Sequence, residues 1–130
     1  MESLQIRTGS ISLRILDDLG NERGIFTFNP EDVKSAEQLL LLQQDLNVRS
    51  AELEQREKDA KNNEEKIALM NEVVQYFRDA IDRCFGEGSS DILFGNSNTL
   101  SMFYDFIEGI TPYYKKASDK RKAKYGKKQK

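Results

Sequence analysis

The chain has 130 residues, of which 38% are apolar and 32% are charged, and it contains one cysteine and no histidine. The lack of histidine excludes a Ser–His–Asp triad, a histidine general base and most zinc geometries. Cys84 has no second cysteine with which to form a disulfide, as is typical of a reducing compartment. No run of about 18 apolar residues could cross a membrane. We therefore expect an intracellular, soluble, non-enzymatic protein without a catalytic residue, metal or cofactor.

The formal net charge of −2 conceals a strong asymmetry along the chain. Residues 115–130 hold nine basic residues and one acidic residue, a net charge of +8, whereas residues 1–114 hold 11 basic and 21 acidic residues, a net charge of −10. An acidic body disfavours nucleic acid as its partner. We interpret residues 115–130 as a flexible basic tail, with contact to an acidic protein or to nucleic acid as alternatives.

Residues 1–29 show the alternation of apolar and polar residues that is typical of β-strands. Turn-forming residues separate the alternating runs at positions 8–10 and 17–21. This pattern predicts a β-hairpin or a three-stranded meander, which needs a helix on its apolar face because so small a sheet is marginal alone. The alternating apolar residues are Leu4, Ile6, Ile11, Leu13, Ile15, Phe26 and Phe28.

Residues 30–63 are predicted to form a long charged helix. Asn29 is a suitable N-cap, and Pro30 fits the first helical position because its missing N–H would be unpaired there in any case. The apolar positions stop within this segment, so we expect the helix to project or to bend. Asn62 and Glu65 have the spacing of a capping box, which predicts a break near residue 62.

Residues 64–114 are predicted to be a helical subdomain. An amphipathic helix ends at Gly86, which has a C-cap role. Asn98 is placed to cap the next helix, Gly109 to interrupt it, and Pro112 to begin a further one. The whole pattern predicts an α+β, mainly helical fold, with an N-terminal hairpin or meander, a long helix and a C-terminal helical cap.

The stretch from residue 85 to residue 112 combines glycine and proline breaks with large apolar anchors. Clustered glycines indicate backbone angles or close approaches that other residues resist. The glycines follow a helix and lack the lysine of a P-loop, so they predict a helix–helix corner and not a phosphate site. The residues of this structural motif are Phe85, Gly86, Gly88, Phe94, Gly95, Leu100, Phe103, Phe106, Gly109 and Pro112.

Candidate chemical groups have simpler structural interpretations. The carboxylate pairs at positions 17–18, 64–65 and 79–82 fall in turns and on polar helix faces, where no buried pocket is expected to shift a pKa. Cys84 lies on the apolar side of its helix, and we interpret it as a buried structural thiol.

Four consecutive leucines, residues 39–42, cover more than half of the circumference of their helix. One small sheet and one helix cannot cover all of them, so some are predicted to face a partner or a second copy of the chain. The predicted partner-binding residues are Leu41, Leu42, Leu46, Tyr104, Tyr113 and Tyr114.

The order of these elements and the motif at residues 85–112 resemble the small tail assembly chaperone-like proteins of long-tailed phages and prophages of Gram-positive bacteria. The resemblance covers roughly residues 11–116 and is strongest between Phe85 and Pro112. It implies a non-enzymatic protein of the host cytoplasm that binds the tape-measure protein and keeps its apolar helices soluble. It also implies self-association and help in polymerising the tail-tube protein.

Two other functions stay open from the residues. A structural virion protein, such as a tail-completion or connector subunit, would use the same apolar surface permanently. A nucleic-acid-binding accessory protein would use the basic residues of the segment 115–130.

Overall fold

The structure, a computed structural model, describes residues 1–126. Within them, two strands precede four helices, which confirms the predicted α+β, mainly helical fold. The elements are β1 (Ile11–Leu16), β2 (Glu22–Phe28), α1 (Val33–Asp59), α2 (Asn63–Phe85), α3 (Ser89–Phe94) and α4 (Ser101–Gly126).

Strands β1 and β2 form an antiparallel hairpin. Leu13 lies opposite Phe26 and Ile11 lies opposite Phe28, so these four side chains share one face of the sheet. The connecting turn is closed by Asp17, whose side chain accepts hydrogen bonds from the backbone N–H groups of two turn residues, at 3.0 and 2.9 Å. The predicted hairpin is therefore confirmed.

The predicted third strand is absent from the described residues. Leu4 and Ile6 are exposed and belong to no strand. The side-chain amide of Asn29 donates a hydrogen bond to the carbonyl of Thr8 at 2.8 Å, which holds the segment beside the residue that follows β2. Residues 1–10 therefore lead into β1 without pairing with it.

Helix α1 begins three residues later than predicted. The side chain of Asn29 accepts from the N–H of Glu31 at 3.0 Å, and its carbonyl accepts from the N–H of Asp32 at 3.2 Å, so Asn29 closes a turn. Asp32 is the N-cap, because its backbone is extended and its side chain accepts from the N–H of Lys34. Two potential capping residues stand close together here, and the second begins the helix.

Helices α1 and α2 pack as an antiparallel pair. The predicted break is confirmed, since Asn62 accepts from the N–H of Glu65 at 2.9 Å and caps α2. Further along, Tyr76 donates its hydroxyl to Asp45 at 2.5 Å, and the guanidinium of Arg49 lies 3.7 Å from the centre of the Tyr76 ring. This cluster fixes the register of the two helices.

Helix α2 ends as predicted at Gly86, which has a φ of 114°. Asp82 then accepts a hydrogen bond from the N–H of Ser90 at 2.8 Å, which joins the end of α2 to the first turn of α3. Gly88 and Gly95, at the two ends of α3, also have positive φ angles of 88° and 57°. The predicted helix–helix corner is therefore confirmed, and its glycines are explained by backbone conformation.

Arg78, in α2, is buried. Its guanidinium donates to the carbonyls of Gly95 at 2.8 Å and Ser97 at 2.5 Å, and it lies 3.4 Å from a carboxylate oxygen of Asp91. A buried arginine is stable only when such acceptors replace water. Arg78 therefore holds the loop between α3 and α4 against α2.

Helix α4 is continuous through Gly109 and Pro112, so the predicted interruption and restart are wrong. Pro112 lacks the N–H that would bond to the carbonyl of residue 108, but the hydroxyl of Thr111 donates to the carbonyl of Ile107. Buried residues on both sides of the proline, including Ile107 and Tyr114, hold the two halves on the same core.

The predicted Asn98 cap is also wrong, because α4 begins three residues later, at Ser101. The amide of Asn98 donates instead to the carbonyl of Asn96. At the other end, α4 extends to Gly126, so the expected basic tail is helical over residues 115–126. Lysine and arginine favour a helix, and they suit its negative C-terminal end. The expected tail residues 127–130 lie outside the described residues.

The core contains buried residues of β2 and of helices α1 to α4, and its aromatic part lies where the inner face of the hairpin meets α2, α3 and α4. Phe26 contacts Phe85 and Phe106 edge to face, with ring centres 5.4 and 5.6 Å apart. Phe103 is packed between Phe77 and Phe94: its ring centre lies 5.5 Å from that of Phe77 in a tilted arrangement and 5.2 Å from that of Phe94 edge to face. Such edge-to-face contacts stabilise aromatic pairs beyond the burial of their area.

Candidate functional site

A cleft of about 620 Å³ lies between β1 and one face of α4. The β1 wall consists of Leu13, Ile15 and Leu16. Because the sheet has two strands, the other edge of β1 has no strand beside it within the described residues. The α4 wall includes residues at helical spacing, namely Met102, Phe106, Gly109, Ile110 and Tyr113.

The floor of the cleft belongs to the core. Phe26, Leu93 and Phe94 line it and are buried. The walls are less covered, since Leu13, Ile15 and Met102 are only partly buried. An apolar floor between half-covered apolar walls can receive an apolar side chain or helix without moving the backbone.

Gly109 widens the cleft on the side of α4. Its backbone is helical, so no unusual φ requires glycine at this position. A Cβ built on Gly109 meets no atom within 4 Å, which means that the space beside it is open. Glycine in a helix interior costs about 1 kcal/mol relative to alanine, and a close approach by another chain is one reason to keep it.

The rim of the cleft is polar and carries both charges. Asp18 and Asp105 lie on it, together with Arg23. Arg23 donates a hydrogen bond to the carbonyl of Leu93 at 2.9 Å, which ties β2 to α3. A polar rim around an apolar floor is the usual arrangement of a protein-binding surface.

The structure separates the three leucines that were predicted to bind a partner. Leu42 and Leu46 are 6% and 1% exposed and lie in the core, so they cannot face a partner in this conformation. Leu41 is 54% exposed. The leucine run covers too much of the helix for the sequence to tell its core side from its outer side.

The three predicted tyrosines also have different surroundings. Tyr113 lines the cleft and is partly buried. Tyr104 is 39% exposed and donates its hydroxyl to Ser50 at 2.8 Å. Tyr114 is buried, and its hydroxyl shares a 2.6 Å hydrogen bond with Ser35. Burial raises the pKa of Tyr114, so its hydroxyl stays protonated well into the alkaline range.

The motif residues between positions 85 and 112 serve the core and its corners. Phe94, Phe103 and Phe106 are buried, whereas Phe85 and Leu100 are partly buried against the same cluster. Three of the motif residues, Phe94, Phe106 and Gly109, also line the cleft, so the motif builds part of the candidate site.

Cys84 is half-buried, and burial raises the pKa of its thiol. A raised pKa keeps the thiol protonated and makes it a poor nucleophile at neutral pH. Among residues 1–126, no group of three or more metal-ligating side chains comes together. No helix in this part of the chain has the length and apolarity needed to span a membrane.

Sequence reasoning missed the cleft and both structural arginines. Arg78 stands four residues after Val74 and three before Ile81, which is the spacing of the apolar stripe of α2 and could have indicated its burial. Arg23 interrupts an alternating strand and carries no such signal. The cleft joins residues far apart in the chain, so no local pattern reveals it.

These features define a small α+β protein with an open cleft, apolar at its floor and polar at its rim, between its hairpin and its last helix. Residues 21–130 match a family of unknown function, DUF6673, and the chain belongs to this family. The match includes β2 and all four helices, and so most of the residues that line the cleft. Comparison with curated proteins and with solved structures finds no match.

Proposed function

We propose that this protein is a tail assembly chaperone of a phage or prophage, and that it binds an apolar helical segment of the tape-measure protein in the cleft between β1 and α4. The chaperone acts in the host cytoplasm, by non-covalent contact, and assists tail-tube assembly. It self-associates while it does so. The open cleft, with its apolar floor and polar rim, is the observation that carries this proposal.

The size of the cleft supports a helix as its occupant. Its α4 wall extends from Met102 to Tyr113, which is about 17 Å or three helical turns. A partner helix lying against Gly109 can approach the backbone of α4 closely, as small residues permit. The partner's apolar side chains would then meet Leu13 and Ile15 on the opposite wall.

The surface charge supports a transient complex. A protein that carries apolar segments of another chain must itself stay soluble, and the net charge of −10 over residues 1–114 favours this. A short cleft also gives modest affinity. The loss of translational and rotational freedom on association costs several kcal/mol, and the contacts of a short cleft exceed that cost by little. Modest affinity permits release when the tail tube takes over the segment.

A co-expression experiment tests the proposal. The full chain is produced together with the tape-measure protein from the same genome, and the soluble fraction of the tape-measure protein is quantified. Gly109→Met should remove most of the gain in soluble tape-measure protein, because the new side chain fills the cleft. The fold should tolerate it, since the space beside Gly109 is open.

Glu108→Met is the matched control, because it adds the same side chain one position away and outside the cleft. It should keep the solubilising activity of the wild type. If the wild type itself forms no complex and gives no gain in soluble tape-measure protein, the proposal is wrong. If Gly109→Met and Glu108→Met are equally active, the cleft is not the binding site.

Two alternative functions have their own tests. A structural virion protein would be found by mass spectrometry in purified particles, whereas a chaperone should be missing from them. A nucleic-acid-binding function is favoured by one observation, namely that the basic residues between Lys115 and Lys124 are exposed on a helix and form no ion pair within residues 1–126. DNA binding that falls steeply with salt and needs this segment would support it.

A further inference from the structure

The outward face of α1 carries an apolar stripe. Val33, Leu40, Leu41 and Val48 are each more than half exposed. At 100° per residue, these four side chains lie opposite the leucines of α1 that enter the core. Exposed apolar side chains grouped on one helix face indicate a surface that another molecule covers.

The spacing of this stripe is symmetric about the peptide bond between Leu40 and Leu41. Glu37 lies three residues before Leu40, and Gln44 lies three residues after Leu41. A valine then follows at the same distance in each direction: Val33 lies four residues before Glu37, and Val48 lies four residues after Gln44. Read from either end, the face has the same order of valine, polar residue and leucine.

A symmetric face of this kind fits a second copy of itself. When two α1 helices lie antiparallel with a two-fold axis at the Leu40–Leu41 bond, Val33 meets the second copy's Val48. Leu40 meets the second copy's Leu41, and Glu37 meets an uncharged Gln44 instead of another carboxylate. A two-fold interface requires this self-complementarity, because each residue pair occurs twice.

We propose that the outward face of α1 is a two-fold dimer interface between two copies of this chain, with its axis at Leu40–Leu41. The interface lies away from the cleft and does not depend on tape-measure binding. The stripe is about 22 Å long and about 10 Å wide. A standard interface buries about 800 Å² on each partner, so this smaller one predicts a weak dimer that depends on concentration.

The test alters the charge that faces Glu37 across the axis. Gln44→Lys places two opposite-charge pairs in each dimer, whereas Gln44→Glu places two like-charge pairs there. At about 0.2–1 kcal/mol for an exposed pair, the dimer dissociation constant should fall about 2- to 30-fold for Gln44→Lys and rise by a similar factor for Gln44→Glu. Sedimentation equilibrium of the purified full chain, from micromolar to millimolar concentration, measures both changes.

Gln55→Lys and Gln55→Glu are the matched controls. Gln55 is exposed on the same face of α1, but its antiparallel counterpart would be position 26, which precedes the helix. Both controls should dimerise like the wild type. A wild type that stays monomeric at millimolar concentration overturns the proposal. A dimer that responds equally to both Gln44 variants, or as strongly to the Gln55 variants, overturns it as well.

Discussion

At the scale of single residues, Arg78 does more for this fold than its place in the sequence indicates. Its guanidinium donates hydrogen bonds to two backbone carbonyls in the loop between α3 and α4, and two residues of that loop, Ser97 and Thr99, line the cleft. Phe94, whose ring centre lies 5.8 Å from the guanidinium, is apolar and cannot donate to those carbonyls. The loop therefore depends on one polar side chain inside an apolar surrounding.

Replacing Arg78 by methionine should lower the free energy of unfolding by about 2–4 kcal/mol. Methionine fills a similar volume but donates no hydrogen bond, so the partly buried carbonyls of Gly95 and Ser97 lose their donor. Chemical denaturation of the two proteins measures the difference. Arg83→Met, an exposed position of the same helix, serves as the control and should change stability by no more than about 0.5 kcal/mol. Equal effects at the two positions would show that the buried contacts of Arg78 contribute nothing.

Tyr114 should make stability sensitive to alkaline pH. Its pKa is raised by burial in the folded state, so folding favours the protonated hydroxyl. This stabilisation is complete below the unfolded pKa of about 10 and is lost as pH rises through the higher folded value. The free energy of unfolding should therefore fall more steeply above pH ~10 in the wild type than in Tyr114→Phe. Denaturation curves at several pH values compare the slopes, and parallel curves would contradict this account.

At the scale of elements, local signals predicted some boundaries and missed others. Both ends of α2 were predicted, because Asn62 and Gly86 carry unambiguous cap chemistry. The start of α1 was misplaced, because Asn29 is engaged with Thr8 and Glu31, and only the structure shows those contacts. The continuity of α4 was missed, because tertiary packing overrides the helix-breaking tendency of Pro112.

The cap of α2 can be tested alone. Asn62→Ala should lower the free energy of unfolding by about 0.5–2 kcal/mol, because the N–H of Glu65 loses its acceptor. Asn63→Ala is the control: the position is next in sequence and equally exposed, but its side chain makes no hydrogen bond within the described residues. A thermal or chemical melt measures both. A loss at Asn63→Ala as large as that at Asn62→Ala would show that capping is not the cause.

At the scale of the whole molecule, the sequence predicted the class of fold but not the surfaces. The alternating strands and the helical spacing of α2 are local patterns, so the α+β, mainly helical fold followed from them. The leucine run predicted a partner-facing surface, but the structure buries Leu42 and Leu46 and leaves Leu41 outside. The cleft depends on the distance between β1 and α4, which are about 90 residues apart in the chain.

The whole molecule therefore has two apolar surfaces for which we propose different partners. The cleft between β1 and α4 is concave, has a polar rim and suits a helix of another protein. The outer face of α1 follows a symmetric pattern and suits a second copy of the chain. Because they lie on different elements, a dimer bound through α1 can keep both of its clefts open.

Hydrogen–deuterium exchange of the full chain, with and without the tape-measure protein, tests the central claim most directly. We predict that added tape-measure protein slows exchange in residues 11–16 and 102–113, the two walls of the cleft, and leaves the middle of α2 unchanged. Unchanged exchange at both walls in the presence of a confirmed complex, or the failure of any complex to form, would contradict the account.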